Sequence, residues 1–368
     1  MAYIDQFFEV LINAGASDFH LAEGQPPKLR RHGEVLAIRE EVITHEEAAY
    51  MMSEICEPKN WETFEERGDF DFAYQMNESS RFRCNFFKQT HGYGAVFRLI
   101  PTQIATLEQL GIPPVVKEFG QLRGGLVLVT GPTGSGKSTT LAAIIDYINT
   151  NFSRHIITIE EPIEFVHSNK RSIITQREVP EHATSFPAGL KAALREDADI
   201  VLVGEMRDLE TISLALTGAE TGLLVFGTLH TNNARKTVDR MIDVFPADQQ
   251  SQVRTMLSAS LRGVVAQLLL KKTAEVGGGR LAVNEILVAS SAVSAIIREG
   301  ATQKLQDVII GGKSQGMQFM DDAIWTVMQQ GIVSPHEAYM KAIDKNRFKV
   351  FLPDEEKALG NSAGDVAK

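Results

Sequence analysis

The sequence predicts an α/β protein of two domains, an N-terminal α+β domain and a second domain of alternating strands and helices with a helical C-terminal part. Three observations carry this. The chain has 368 residues, more than one core usually supports, since domains cluster near roughly 100–200 residues. From Leu126 onward apolar runs alternate with helical segments ("LVLVT", "HIITIEE", "SIITQ", "FPAGLKAALRE", "IVLVGE", "LETISLALTGAE", "LLVFGTLH"), the order expected of a sheet with parallel central strands. Between the two patterns, residues 101–123 hold Pro101, Gly111, Pro113 and Pro114 and read as a linker containing a short helix. The expected division is 1–100, linker 101–123, and 124–352, with 353–368 a disordered tail.

Within the first domain, "YIDQFFEVLINAG" places Ile4, Phe7, Phe8, Leu11 and Ile12 on one helical face and stops at Gly15, a residue suited to a left-handed C-terminal position. Thr44 and Glu47 form a capping-box pattern ahead of "AAYMMSEI". "DFDFAYQM" alternates Phe70, Phe72 and Tyr74 as a half-buried strand does, and polar "NESS" turns the chain. In "RFRCNFF", residues 81–87, Phe82, Cys84 and Phe86 face one way and Arg81, Arg83 and Asn85 the other; "GAVFRLI" follows as the next strand of an antiparallel meander. Past about Asn232 the pattern is nearly all helical, broken by "GGGRLAVNEILVA".

Composition excludes several classes. A hydrophobic fraction of 43% with 23% charged residues is that of a folded globular chain. The net charge of −10 repels a phosphate backbone and argues against a nucleic-acid partner. The most apolar run, "GVVAQLLL" at 263–270, is far shorter than the ~20 residues of a membrane span, and no signal-peptide pattern is visible. A cytoplasmic chain, or one peripheral to a membrane, is expected. Cys56 and Cys84 are the two cysteines; they read as small buried hydrophobes and cannot form a four-cysteine zinc site.

The chemistry is concentrated after "LVLVT". In "GPTGSGKST" the residues Gly131, Pro132, Thr133, Gly134, Ser135, Gly136, Lys137, Ser138 and Thr139 form a phosphate-binding loop between a strand and a helix. Its glycines let backbone N–H groups wrap the phosphates of ATP, Lys137 reaches the β- and γ-phosphates, and Ser138 offers its hydroxyl to Mg²⁺. "DIVLVGEMRD" ends an apolar strand in Gly204-Glu205, with glycine where an aspartate is usual, so Glu205 must orient the attacking water or hold a Mg²⁺-bound one. "ITIEEPIEF" gathers Glu160, Glu161 and Glu164 at the end of another strand, candidates for general-base or metal-water duty. "LVFGTLHTNN" puts His230 at a third strand end, where open α/β sheets place their ligands.

The order of these motifs resembles the secretion-ATPase superfamily, specifically the twitching-motility retraction ATPases of type IV pili, the PilT/PilU group. The resemblance runs from about residue 3 to about residue 350 and includes "GASDFHL", "RFRCNFF", "GAVFRLIP", "TIEEPIEFVH", "ALREDADIVLVGEMRDLETI", "AETGLLVFGTLHTNNA" and "DRMIDVFPADQQ". It implies a PAS-like N-terminal domain, a RecA-like ATPase domain, and a Mg²⁺-dependent ATPase that forms a homo-hexamer. That ring would sit at the cytoplasmic face of the inner membrane, at the pilus base. Expected partners are an inner-membrane platform protein and a paralogous retraction ATPase. The resemblance further implies that Glu205 and Glu164 are the catalytic carboxylates, that His230 senses the γ-phosphate, and that Arg83 and Arg98 are presented to nucleotide.

Two departures stand out. "IEEPIE" has glutamate at position 161 where the family usually has aspartate. "AIIRE" at 295–299 matches the family's coupling signature only in part, and the main and accessory retraction subtypes both stay open. A pilus-assembly or type II secretion ATPase is the alternative, though such chains usually add an N-terminal extension and a four-cysteine zinc insert. A nucleotide-binding accessory subunit is the second alternative.

Overall fold

The computed structural model describes residues 2–31, 34–77, 80–100 and 103–353; the expected tail, from 354 on, lies outside them. The chain divides into two compact units, 1–103 with 162–166, and 104–161 with 167–368.

The first unit runs α1 (Asp5–Asn13), β1 (Asp18–Ala22), β2 (Lys28–Arg31), β3 (Glu34–Ala37), α2 (His45–Ser53), α3 (Pro58–Arg67), β4 (Asp69–Asn77), β5 (Ser80–Gln89) and β6 (Gly92–Ile100). Its strands pair antiparallel in the order β3-β2-β1-β6-β5-β4. The meander expected from alternation is β4-β5-β6; strands β1–β3, of five, four and four residues, are too short to show a clear period. The apolar face of α1 packs on this sheet, Phe8 stacking on Phe82 with ring centroids 4.0 Å apart, and Gly15 ends the turn at φ +61°. Cys56 and Cys84 are both buried and free. Thr44 caps α2 by accepting from the Glu47 N–H at 3.2 Å. The reciprocal half of the capping box is not made, because both Glu47 carboxylate oxygens accept from Arg39, at 2.7 and 2.8 Å.

The second unit begins with α4 (Val115–Phe119), β7 (Gly125–Thr130), α5 (Lys137–Asn151), β8 (His155–Glu160), β9 (Ile173–Glu178) and α6 (Phe186–Ala193). It continues through β10 (Ile200–Val203), α7 (Leu209–Glu220), β11 (Leu224–Leu229), α8 (Ala234–Asp243), α9 (Gln250–Ser260), β12 (Leu261–Lys271) and β13 (Arg280–Val288). Helices α10 (Ser291–Glu299), α11 (Leu305–Gly311), α12 (Met320–Gln329), α13 (Pro335–Lys341) and α14 (Lys345–Lys349) complete it. The sheet order is β13-β12-β7-β11-β10-β8-β9, parallel throughout except for the β12–β13 pair.

All of β7 is buried, and its alternation divides the core. Leu126 and Leu128 join the cluster containing α6–α9, while Val127 and Val129 join the one containing α5, because successive strand side chains point to opposite faces. The 104–123 segment belongs to the second cluster, where Leu107, Ile112, Val115, Val116 and Phe119 are buried.

One expectation is corrected. The region past Asn232 is not helical up to the "GGG" turn, because "GVVAQLLL" lies within the eleven-residue strand β12. Val264, Val265 and Ala266 are fully buried. A run that is apolar on both faces has no period to distinguish a central strand from a buried helix; pairing with β7 and β13 decides it.

Candidate active site

The sheet order sets the site. The C-terminal ends of the neighbouring strands β7, β11, β10 and β8 lead, respectively, into the phosphate loop, His230, Gly204-Glu205 and Glu160-Glu161. Neighbouring strands lie about 4.8 Å apart, so motifs separated by up to 100 residues in sequence share one edge.

The loop leaves β7 at Gly131, where φ is +148° and an added Cβ would fall 2.3 Å from the Gln267 carbonyl oxygen and 2.5 Å from Ser135 Oγ. Only glycine fits there. Helix α5 then starts with no side-chain cap on its first N–H groups. Those N–H groups and the dipole of a fifteen-residue helix favour an anion at this end. The Lys137 ammonium lies back over the loop, donating to the carbonyls of Gly131 at 2.8 Å and Pro132 at 3.2 Å. These neutral acceptors are ones a phosphate readily displaces, because charge-assisted bonds are the stronger.

Glu205 sits just beyond β10. It accepts from His230 Nε2 at 2.8 Å and pairs with Arg207. Burial opposes its charge, but the Arg207 hydrogen bond, the nearby charges of His230 and Arg207, and the His230 hydrogen bond outweigh it. The Glu205 carboxyl is held below the usual carboxylate range. Glycine at 204 has a local reason: a Cβ there would meet Ile159 O at 3.1 Å and Glu160 Cα at 3.2 Å on the adjacent strand. The Gly204 carbonyl is held by Thr228 Oγ1 at 2.5 Å, which ties the ends of β10 and β11 together.

In the acidic box, Glu160 accepts from Thr158 Oγ1 at 2.6 Å, and the exposed Glu161 adds its charge to that of Glu205 in keeping Arg207 protonated. The second unit thus brings together the loop, Glu205, His230, Glu160 and Glu161. Glu164 is exposed in the 162–166 segment grouped with the first unit. Arg83 and Arg98 also belong to the first unit, directly opposite each other on β5 and β6. Like charges so placed repel; each has its own carboxylate, Asp71 at 3.9 Å from Arg83 and Asp18 at 2.8 Å from Arg98.

A nucleotide's phosphates fit this loop on its geometry: left-handed glycines, an uncapped helix start and a lysine reaching back over the loop's own carbonyls. Among the described residues no group of three or more His, Cys, Asp or Glu is placed to hold a metal ion. A Mg²⁺ carried in with ATP would bind through substrate phosphates, water and few protein oxygens. Ser138, in the first turn of α5, is the hydroxyl that would reach it.

Two residues of the site carry weight that the motif reading did not assign. Arg207 is part of "GEMRD", and a base two positions after a strand-end acid is a readable counter-ion signal. Gln267 is a lone amide in an apolar strand, and a buried polar group must find partners.

The fold and the site define a phosphate-loop ATPase. Residues 1–340 match the family described as type II/IV secretion system protein, and the chain belongs to that family. It is 49% identical over 328 residues to the type IV pilus retraction ATPase PilT of Pseudomonas aeruginosa, covering 89% of this chain and 94% of that one. To the type IV pilus ATPase PilU of the same organism it is 35% identical over 348 residues, 95% and 91% of the two chains. The crystal structure of the pilus retraction motor PilT with bound ADP superposes with a TM-score of 0.87 at 42% identity, covering 94% of this chain and 98% of that one. Among the described residues no helix is long and apolar enough to cross a membrane.

Proposed function

We propose that this chain is the ATP-hydrolysing motor of type IV pilus retraction, acting as a homo-hexamer peripheral to the inner membrane. The observation that carries the chemistry is the 2.8 Å contact between Glu205 and His230, on strand ends adjacent to the phosphate loop. Phosphoryl transfer is catalysed mainly by positioning and electrostatics, and each part has a task. Backbone N–H groups of 131–139 and the Lys137 ammonium hold the phosphates of ATP. Ser138 would hold Mg²⁺, which when bound would supply neutralisation of phosphate charge. Glu205, held by His230 and Arg207, orients the attacking water. His230, hydrogen-bonded to Glu205, couples the γ-phosphate to that carboxylate.

Glu164, Arg83 and Arg98 are the further residues we assign to the nucleotide, and an arginine on a transferring phosphate is worth roughly 10³–10⁵ in rate. That dependence makes an oligomer and its domain motions part of the catalytic cycle. The motions act on the pilus through an inner-membrane platform protein, with a paralogous ATPase as a further partner. The identity of 49% to PilT against 35% to PilU favours the main retraction motor.

Lys137→Ala should abolish binding of ATP, measured by titration with a fluorescent ATP analogue; a variant that binds normally removes the loop from the mechanism. In the native cell, deletion should leave extra surface pili that do not retract. Loss of surface pili instead would assign an assembly motor.

A further inference from the structure

Gln267 interrupts the apolar run of β12 and is 1% exposed. Its Nε2 donates to the Ser135 carbonyl at 2.6 Å, and its Oε1 accepts from Thr140 Oγ1 at 2.8 Å and from Asn284 Nδ2 at 3.1 Å. The amide's orientation is fixed chemically, because a backbone carbonyl only accepts; the atom facing Ser135 must be the NH₂. Asn284 lies directly across from Gln267 on β13, is itself 1% exposed, and its carbonyl accepts from Gln318 Nε2 at 2.7 Å. One side chain therefore grips the phosphate loop at Ser135 and the first turns of α5 at Thr140. Two glycines of the loop also close on it. A Cβ at Gly136, where φ is +85°, would fall 2.9 Å from Gln267 Nε2, and one at Gly131 would fall 2.3 Å from the Gln267 carbonyl.

We infer that Gln267 is a positioning residue for ATP binding, acting through the Ser135–Gly136 peptide. A trans peptide is planar and points its C=O and N–H in opposite directions. With the Ser135 carbonyl pinned to β12, the Gly136 N–H is turned away from β12, into the cradle that takes the phosphates. Without the amide the peptide is free to rotate, and one N–H donor to a charged oxygen is lost. The inference rests on reading residues 131–139 as the nucleotide loop.

Four variants of the full chain test it, each titrated with Mg²⁺ and a fluorescent ATP analogue and followed by thermal unfolding. Gln267→Met keeps the length and drops every hydrogen bond; it should weaken ATP binding roughly ten- to hundredfold, as expected for a bond to a charged group, while remaining folded. Gln267→Glu should bind as weakly as Gln267→Met at pH 8, where an ionised carboxylate faces the Ser135 carbonyl. It should recover toward the wild type as pH falls, because burial raises a carboxyl pKa and the protonated acid donates to that carbonyl. A merely space-filling role would produce no such recovery. Thr140→Val, which removes one donor to Oε1, should weaken binding less than Gln267→Met, and the double variant should fall short of the sum of the two effects.

If wild type binds ATP and Gln267→Met binds equally, the inference is overturned and the nucleotide loop stands. If Gln267→Met unfolds, the pH profile of Gln267→Glu decides, a profile parallel to wild type being fatal. If wild type itself fails to bind ATP, the reading of the loop falls.

Discussion

Glu205→Gln separates catalysis from binding and from folding. Glu205 is 17% exposed and pairs with His230 and Arg207, whose side chains are 46% and 69% exposed. Both partners stay solvated when the charge is removed, and the new amide keeps an oxygen that accepts from one of them. The stability cost is therefore that of largely exposed pairs, at most about 1 kcal/mol, or roughly 2–4 °C in Tm for a unit of this size. Catalysis should suffer far more. A side chain that positions water or stabilises developing charge is worth about 10²–10³ in rate, or roughly 2.7–4 kcal/mol. ATP affinity should stay within a few-fold of wild type, because the lysine and backbone donors that hold the ground state are untouched. Steady-state ATPase assays, fluorescent-nucleotide titration and thermal unfolding on one preparation give all three quantities. Hydrolysis at the wild-type rate refutes the assignment of Glu205. Loss of binding in parallel with turnover refutes the division of labour between Glu205 and Lys137.

Arg98→Ala should depress turnover far more than ATP affinity, with some loss of Tm because Asp18 is left buried without its cation; unchanged turnover would confine Arg98 to the surface of its own unit. The Glu205 carboxyl also sets an acid limit. Its pKa is below the ordinary 4.5, so its pairs contribute stability above that value that is lost as pH falls through the folded pKa, and urea unfolding of Glu205→Gln should show that loss removed. Glu285 runs the other way. Buried on β13, it accepts from the N–H of Ala234 at 2.8 Å and of Met320 at 3.4 Å, and burial raises its pKa above 4.5. The folded state then binds the proton more tightly, so stability is full below 4.5 and declines as pH rises through the folded pKa. Urea unfolding of Glu285→Gln across that range should show the decline removed. Finally, Arg298→Ala with Glu299→Ala should retain ATPase turnover and lose retraction, since both side chains are exposed on α10 while Val293, Ile296 and Ile297 are buried; parallel loss of turnover would reduce α10 to packing.

Much of this protein is legible from local pattern, because local pattern is what the relevant physics acts on. The phosphate loop announces itself through glycines at backbone positions no other residue can occupy, between a run apolar on both faces and a helix. The α1 stripe, the β4–β6 alternation and the Ser290 cap on α10 depend on neighbours within a few residues. Strand β12 is different. Apart from Gln267 its central run is apolar on both faces, and it becomes a strand by pairing with β7, more than 130 residues earlier. The same pairing brings Gln267 to Ser135 and so shapes the loop. Glu205 and His230 could each be singled out by their place at a strand end, yet only the order β7-β11-β10-β8 makes them neighbours. Arg207 as the counter-ion of Glu205, and glycine at 204 as the space for β8, follow from that same order. Sequence by itself determined which residues can bind phosphate and carry charge. The tertiary structure decided which of them meet, because contacts between distant segments depend on strand order and register, which no local periodicity encodes.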